Sequence, residues 1–405
     1  DFVLLTHAHI DHCGRLPLLF RAGFAGPIYC TPPTKELVRI ILTDAAEINQ
    51  REARMMRVPP LYKTEDINKI YQNIKTISYN KLTKISKDVS VTAKDAGHIL
   101  GSASYKVEIK TDGVTKSVIF SGDLGNVPAP VVKDTDYFDG SDALIIESTY
   151  GGRIHEPSTW RHKLLKQAID YVQKTKGTLL IPAFALERSQ ELLYALNHLV
   201  EEDFVKPLPV LFDSPLAIEA TEIYKKFAKT YFDKEALAKL NTDNDLFNFP
   251  GLKIIKSGQQ SKSIAKIKGA KLVIAGNGML SGGRIPHHLK KYLPDANSLL
   301  LIISYQPERS LGRKLINGET RVKIMDRSIK VNAKVRAVGA FSSHADQPQL
   351  LHYAKQLSVK KPKIVFINHG EEKSALSLAE GLKQKLNLAS NIPQMYIEYS
   401  LFDNK

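Results

Sequence analysis

Only two cysteines, Cys13 and Cys30, occur in 405 residues. A pair cannot build a disulfide framework, and such scarcity fits a reducing, cytoplasmic compartment. Long apolar runs are missing as well. The longest near-apolar stretches, Gly177 to Ala185 and Leu299 to Ile303, fall far short of the roughly 20 residues a membrane-spanning helix needs, so no membrane partner is expected. No basic segment followed by an apolar one opens the chain, so no signal peptide is visible. Nor does the chain open on Met. Asp1 leads at once into Phe2-Val3-Leu4-Leu5, which reads as a buried strand, and upstream residues are expected to precede it. Internal repeats, low-complexity tracts and long linkers are absent too.

What is present is an ordinary globular mixture, 43% hydrophobic and 24% charged. At roughly 150 residues per domain the length suggests two or three domains. Lys and Arg number 57 against 42 Asp and Glu, a net charge of +15. That excess favours polyanionic partners such as nucleic acid, through steering and counterion release. A generally basic surface is the plain alternative.

Hydrophobic spacing predicts the elements. Phe2 to Leu5, Pro27 to Cys30, Val89 to Thr92, Ala103 to Ile109, Ser117 to Phe120 and Asp142 to Ile146 read as strands, with Thr111-Asp112-Gly113 turning a hairpin. Leu37, Ile40, Ile41, Ala45 and Ile48 recur at spacings of three and four, which predicts a helix over Lys35 to Met56. After Tyr150 the texture becomes strand–helix alternation. Strands at Thr178 to Ile181, Val210 to Phe212, Lys271 to Ala275 and Leu299 to Ile303 are separated by helices at Arg188 to Leu199, Ile218 to Tyr231 and Arg284 to Tyr292. Such alternation implies a mostly parallel α/β sheet. A strand over Val331 to Gly339 is followed by a helix (Gln347 to Leu357), a strand (Ile364 to Ile367) and a helix (Lys373 to Lys385). Asn241 to Asn248 is polar enough to be a loop.

The sharpest chemical signal is Thr6-His7-Ala8-His9-Ile10-Asp11-His12-Cys13-Gly14, directly after a strand. Three imidazoles and a carboxylate within six residues supply nitrogen and oxygen donors suited to Zn²⁺. Core packing rarely gathers four such groups. A binuclear site needs further ligands, and three candidates sit at later strand ends. They are His98 in Gly97-His98-Ile99-Leu100-Gly101, Asp123 in Ser121-Gly122-Asp123-Leu124-Gly125, and His369 in Asn368-His369-Gly370. Each alone is weak. Together with the first cluster they make seven donors, enough for two zinc ions that activate a water and brace an oxyanion.

These residues resemble the metallo-β-lactamase superfamily, and more narrowly its β-CASP nucleases. The resemblance covers essentially the whole chain. It identifies the histidine cluster, His98 and Asp123 with the superfamily motifs, and three further motifs with Glu147, His344 and His369. A histidine at the last of these resembles the RNA-processing branch, since the DNA-repair branch typically lacks it. Ala275 to Arg284 resembles the glycine-rich segment of these nucleases. The implied fold is an αββα metallo-β-lactamase sandwich over residues 1–151 and 336–405, with N-terminal strands apparently missing. It is interrupted at 152–335 by an α/β β-CASP domain with a mostly parallel sheet, and the site is expected in the cleft between them.

The implied ligand sets are His7, His9 and His98 for one zinc, and Asp11, His12 and His369 for the other, with Asp123 bridging. The implied reaction is hydrolysis of RNA phosphodiester bonds by a metal-bridging hydroxide, in endonucleolytic or 5′-exonucleolytic mode, with Asp11, His344 and Glu147 as catalytic residues. His344 would stabilise charge or protonate the leaving oxygen, and Glu147 would orient it. Ser342, Ser343, Gly278, Ser281, Gly282 and Arg284, with Arg309 and Arg313, are candidate RNA phosphate contacts. A homodimer is left open.

Each reading has a plainer rival. His344 also suits a neighbour of a helix cap near Asp346, and Glu147 a structural ion pair. The glycine-rich segment suits an empty tight turn. Cys13 suits packing rather than ligation. His155, His162, His198, His287, His288 and His352 read as ordinary helix or surface residues. At the level of function, two rivals share part of the pattern. A small-substrate thioester or lactone hydrolase would not explain the insert, Glu147, His344 or the charge. A non-catalytic RNA-binding relative would be expected to lose ligands that are all retained here.

Overall fold

The computed structural model describes residues 1–242 and 245–402. In chain order the elements are β1 (Val3–Leu4), α1 (Ile10–Cys13), α2 (Leu16–Arg21), β2 (Ile28–Cys30), α3 (Pro32–Met56), α4 (Thr64–Asn73), β3 (Ile74–Thr76), β4 (Leu82–Lys84), β5 (Val89–Asp95), β6 (Ala103–Thr111), β7 (Val114–Phe120) and β8 (Ala143–Glu147). Next come α5 (Arg161–Thr175), β9 (Thr178–Pro182), α6 (Arg188–Glu201), β10 (Val210–Asp213), α7 (Pro215–Tyr231), α8 (Lys234–Leu240), β11 (Leu252–Ile254), α9 (Gly258–Ser263), β12 (Lys271–Ala275), α10 (Ile285–Tyr292), β13 (Leu299–Ile302) and α11 (Leu311–Ile316). The last are β14 (Arg321–Ile324), β15 (Arg327–Lys330), β16 (Lys334–Ala337), α12 (Gln347–Gln356), β17 (Ile364–Asn368), α13 (Glu372–Leu386) and β18 (Ser390–Asn391). Among the described residues no helix is long and apolar enough to cross a membrane.

The chain divides into two compact units. The first takes Asp1–Ile154, Lys229–Asp233 and the described residues from Ser343 on. It holds a three-stranded sheet, β1-β2-β3, and a mixed seven-stranded sheet, β18-β17-β8-β7-β6-β5-β4. Side chains alternate across each strand, and both faces of the larger sheet are apolar. Ala143 and Val118 join Tyr29, Val91 and Tyr105 between the two sheets, with Phe2 and Leu4 packed against them. Leu144, Ile146, Ile119 and Val365 face the other way, onto Leu350 and Tyr353 of α12 and Leu378 and Leu382 of α13. On the smaller sheet's side, α3 and α4 bury Leu37, Ile41, Ile67 and Ile70. This is the αββα sandwich expected from the sequence.

The second unit takes His155–Ala228 and Lys234–Ser342. Its six-stranded sheet runs β11-β10-β12-β9-β13-β16, and every pairing is parallel. Its inner strands β10, β12, β9 and β13 read as nearly unbroken apolar runs because they are buried on both faces. A separate antiparallel hairpin, β14–β15, packs Val322 and Ile324 into the same core.

Several boundaries differ from the spacing rules for local reasons. The long helix begins at Pro32, three residues early, because Thr31 caps it and prolines fill its first turn. The strand expected over Val331 to Gly339 shrinks to Lys334–Ala337, as a short 3₁₀ turn occupies Gly339–Phe341. In the expected loop at Asn241 to Asn248, residues 243 and 244 lie outside the described residues.

Candidate metal centre

In the larger sheet of the first unit β7, β8 and β17 are parallel neighbours. Their C-terminal ends therefore share one edge, and β5, antiparallel to β6 as β7 is, ends there too. Asp123 follows β7, Glu147 ends β8, His369 follows β17 and His98 follows β5. The loop after β1 brings His7 and His9, and α1 itself carries Asp11 and His12. The sequence scatters these groups over more than 360 positions, and the sheet's edge gathers them.

Three groups of donors result, one of them Asp123 with Glu147 and His344; the other two hold the sequence-predicted metal ligands. His7, His9, His98 and Asp123 form one, and Asp11, His12 and His369 the other. In the first, His9 Nδ1 lies 3.1 Å from His7 Nε2 and 3.1 Å from His98 Nε2. In the second, His12 Nε2 lies 3.1 Å from His369 Nε2, and His369 Nε2 lies 3.4 Å from Asp11 Oδ2. Asp123 faces both. Its Oδ2 is 3.4 Å from His7 and 3.3 Å from His12, while its Oδ1 is 3.4 Å from His369.

Hydrogen bonds orient the rings. His98 Nδ1 lies 3.1 Å from the carbonyl of Ser343. A carbonyl only accepts, so Nδ1 carries the proton and Nε2 turns a lone pair inward. Thr149 Oγ1 donates to the carbonyl of His369 at 3.1 Å and lies 3.2 Å from its Nδ1. That leaves Oγ1 to accept from Nδ1, with Nε2 turned toward Asp11 and His12. His369 itself sits in the left-handed region, at φ 50, a costly conformation for a residue with a side chain.

Electrostatics favour the ligating form in the first set, while His369 of the second is held toward its charged form. Burial holds His7 and His98 well below the ordinary imidazole range and His9 at about 4, so their nitrogens stay neutral near pH 7. Burial would raise Asp123, but His7, His12, His344 and His98 outweigh it and keep the carboxylate ionised. Burial would lower His369, yet its hydrogen bond to Asp11 and the charges of Asp123 and Glu147 lift it to about 9.

The donor set fits divalent metal. Zn–N bonds of 2.0–2.1 Å at tetrahedral angles put neighbouring nitrogens roughly 3.3 Å apart, close to the 3.1 Å spacings here. In the first set burial holds the imidazoles of His7, His9 and His98 in the neutral form that ligates a metal. Cys13 stays outside this set. Its thiol is buried, pushed up to about 12 by that burial, and donates to the carbonyl of Ala8.

A second feature adjoins the donors. His344 Nδ1 lies 3.2 Å from Glu147 Oε1. Glu147 is buried and also accepts from the backbone N–H of Leu124 at 2.8 Å and of Thr149 at 3.1 Å. The His344 ring is centred 4.5 Å from that of His98. The capping role open to His344 is filled by another residue, since the Asp346 side chain accepts from Gln349 and closes a capping box. Burial would lower His344, and Glu147 outweighs it, holding the imidazole above its ordinary value.

The candidate RNA contacts fare differently. Ser343 lies in the first unit and offers its carbonyl to His98. Ser342, Gly278, Ser281, Gly282 and Arg284 lie in the second unit. Arg284 is engaged within the protein, by Asp213 and by the carbonyls of Ile255 and Lys256. Arg313 bonds the carbonyl of Gln306. His288, read as ordinary, is buried with Nε2 2.7 Å from Asp213. Thr149 was not singled out from sequence, although its place two residues beyond Glu147 at a strand end was a usable signal.

Three family descriptions match the chain. Residues 1–123 match the metallo-beta-lactamase superfamily domain, 189–315 the Beta-Casp domain, and 328–393 the Zn-dependent metallo-hydrolase RNA specificity domain. Among similar proteins, the ribonuclease TTHA0252 of Thermus thermophilus is 34% identical over 96% of this chain and 86% of its own length. The transcription termination factors FttA of Methanocaldococcus jannaschii and Pyrococcus horikoshii are 32% and 30% identical over 97% of this chain. The chain spans about three fifths of those two, 62% and 60%.

Proposed function

The chain belongs to the β-CASP branch of the metallo-β-lactamase superfamily, and we propose that it is a zinc-dependent ribonuclease, hydrolysing RNA phosphodiester bonds in the course of RNA processing or decay. The observation that carries this reading is the juxtaposition of seven donors in two adjoining sets with a His344–Glu147 pair that belongs to neither. The relatives' names and the basic charge point the same way.

In this reading His7, His9 and His98 hold one cation and Asp11, His12 and His369 the other, with Asp123 shared. Two zinc ions, when bound, supply an activated water and neutralise charge on the phosphate oxygens. The rest falls to the chain. Ser343 and Thr149 fix the ring orientations of His98 and His369. Glu147 holds the proton on His344 Nδ1, which orients the ring and favours its charged form. His344 then gives charge or a proton to the phosphate or leaving oxygen.

The test is cleavage of RNA labelled at either end, with and without chelator, alongside elemental analysis of the protein. Expected are two zinc ions per chain, chelator-sensitive cleavage restored by zinc, and 5′-phosphate products. Chelator-resistant cleavage, or turnover of thioesters and lactones without RNA cleavage, would overturn the reading.

A further inference from the structure

The β14–β15 hairpin of the second unit has two unlike faces. Val322 and Ile324 are buried, and Ile329 packs with them near Leu315. By strand alternation, Arg321, Lys323, Ser328 and Lys330 stand on the opposite face, and all four are exposed. The register sets Arg321 directly across from Lys330 and Lys323 across from Ser328. Like charges facing each other across a strand pair destabilise it. Among the described residues Arg321, Lys323 and Lys330 form no ion pair that would offset this.

The charge continues beyond the hairpin. Lys334 and Arg336 are exposed on β16, which forms an edge of the six-stranded sheet. Between Arg321 and Arg336 the chain carries six cations and one acid, Asp326, so these sixteen residues hold five of its fifteen net positive charges. No aromatic side chain lies in this stretch, and the Tyr171 ring beside it is met by Lys334 Nζ at 5.1 Å from its centre, so the surface grips by charge rather than by stacked bases. A lipid surface would need apolar anchors to sink into the headgroups, and Met325 is the one exposed large apolar side chain here.

We propose that the outer face of β14–β15, continued onto β16, is a docking surface for the phosphate backbone of single-stranded RNA. It rests on the ribonuclease reading above and adds a grip outside the metal-ligand cluster. Contacts of this kind position a strand without reading its sequence. The cross-strand repulsion between Arg321 and Lys330 is relieved when phosphates lie between them.

The test compares two triple variants of the full chain with the parent. One neutralises the hairpin, Arg321→Gln with Lys323→Gln and Lys330→Gln. The other removes the same charge from exposed lysines of the first unit, Lys81→Gln with Lys84→Gln and Lys87→Gln. RNA binding is measured over a range of salt, and melting temperature reports folding. Each phosphate contact on a single strand adds about 0.7 to the slope of log K against log salt. The hairpin variant should therefore lose about 2 from that slope and bind at least tenfold more weakly at low salt. It should melt no lower than the parent, because a repulsive pair has been removed. The lysine control should keep the parent's slope. Equal losses in both variants would mean a diffuse field and overturn the proposal. So would an unchanged RNA isotherm in a hairpin variant that has lost binding to phosphatidylserine vesicles. A parent that binds no RNA overturns the ribonuclease reading and this one together, whereas a parent that binds RNA as well as its hairpin variant does overturns this one alone.

Discussion

His344 Nδ1 and Glu147 Oε1 lie 3.2 Å apart although 197 residues separate them in the chain. The carboxylate ends a central strand, already holding two backbone N–H groups. An imidazole beside an ionised, buried carboxylate is a better cation and a better-aimed proton donor than a free one.

His344→Ala should keep both cations and bind RNA within about tenfold of the parent, yet lose at least ~10²-fold in single-turnover cleavage, the low end of general acid catalysis. Glu147→Gln should act in the same direction. The pair should be non-additive, because both substitutions remove one proton's placement. His344 is held above its ordinary value, so the stability this pair contributes is complete below the unfolded imidazole's pKa and fades as pH rises through the folded one. A metal-replete, stable His344→Ala that cleaves at the parent rate would end this assignment.

Asp123 faces both donor sets with one carboxylate. Asp123→Ala should lower metal occupancy at both positions, not at one. Elemental analysis checks this, and full zinc content in the variant would remove the shared-ligand role.

Gly370 follows His369 directly, and a Cβ there would come within 2.5 Å of the Ser148 carbonyl oxygen and 2.3 Å of its hydroxyl. Backbone cannot yield as a side-chain tip does. Gly370→Ala should displace the strand end that carries His369 and weaken metal binding by about tenfold or more, in the range seen for lost outer partners. Metal titration of variant and parent gives the comparison, and identical affinity would show that the strand end relaxes freely.

Burial raises the Asp95 carboxyl to about 8, although it accepts from the N–H of Gly97 at 3.0 Å. The unfolded chain ionises this group near pH 4, so between about pH 4 and 8 the native state holds the extra proton. Stability therefore falls as pH rises through that window. Asp95→Asn keeps the accepting oxygen and removes the titration. Its melting temperature should gain on the parent's progressively from pH 4 to 8 and level off above. Parallel curves would refute the shift.

What the sequence determined by itself was local. Period-two strands such as Ala103 to Ile109, three-and-four spacing in the long helix, and the packed donors His7, His9, Asp11 and His12 all lie within one element or loop, where backbone geometry dictates which side chains share a face. His98, Asp123 and His369 were legible as candidates, because each follows a strand and is flanked by small residues. The β14–β15 hairpin went unread, since four-residue strands leave only two residues for each face. Tertiary structure decided the rest. Only the order β17-β8-β7, all parallel, sets His369, Glu147 and Asp123 on one edge. Only folding brings the Ser343 carbonyl to His98 and the Thr149 hydroxyl to His369. Strand order and register depend on contacts hundreds of residues apart, and no local spacing encodes them.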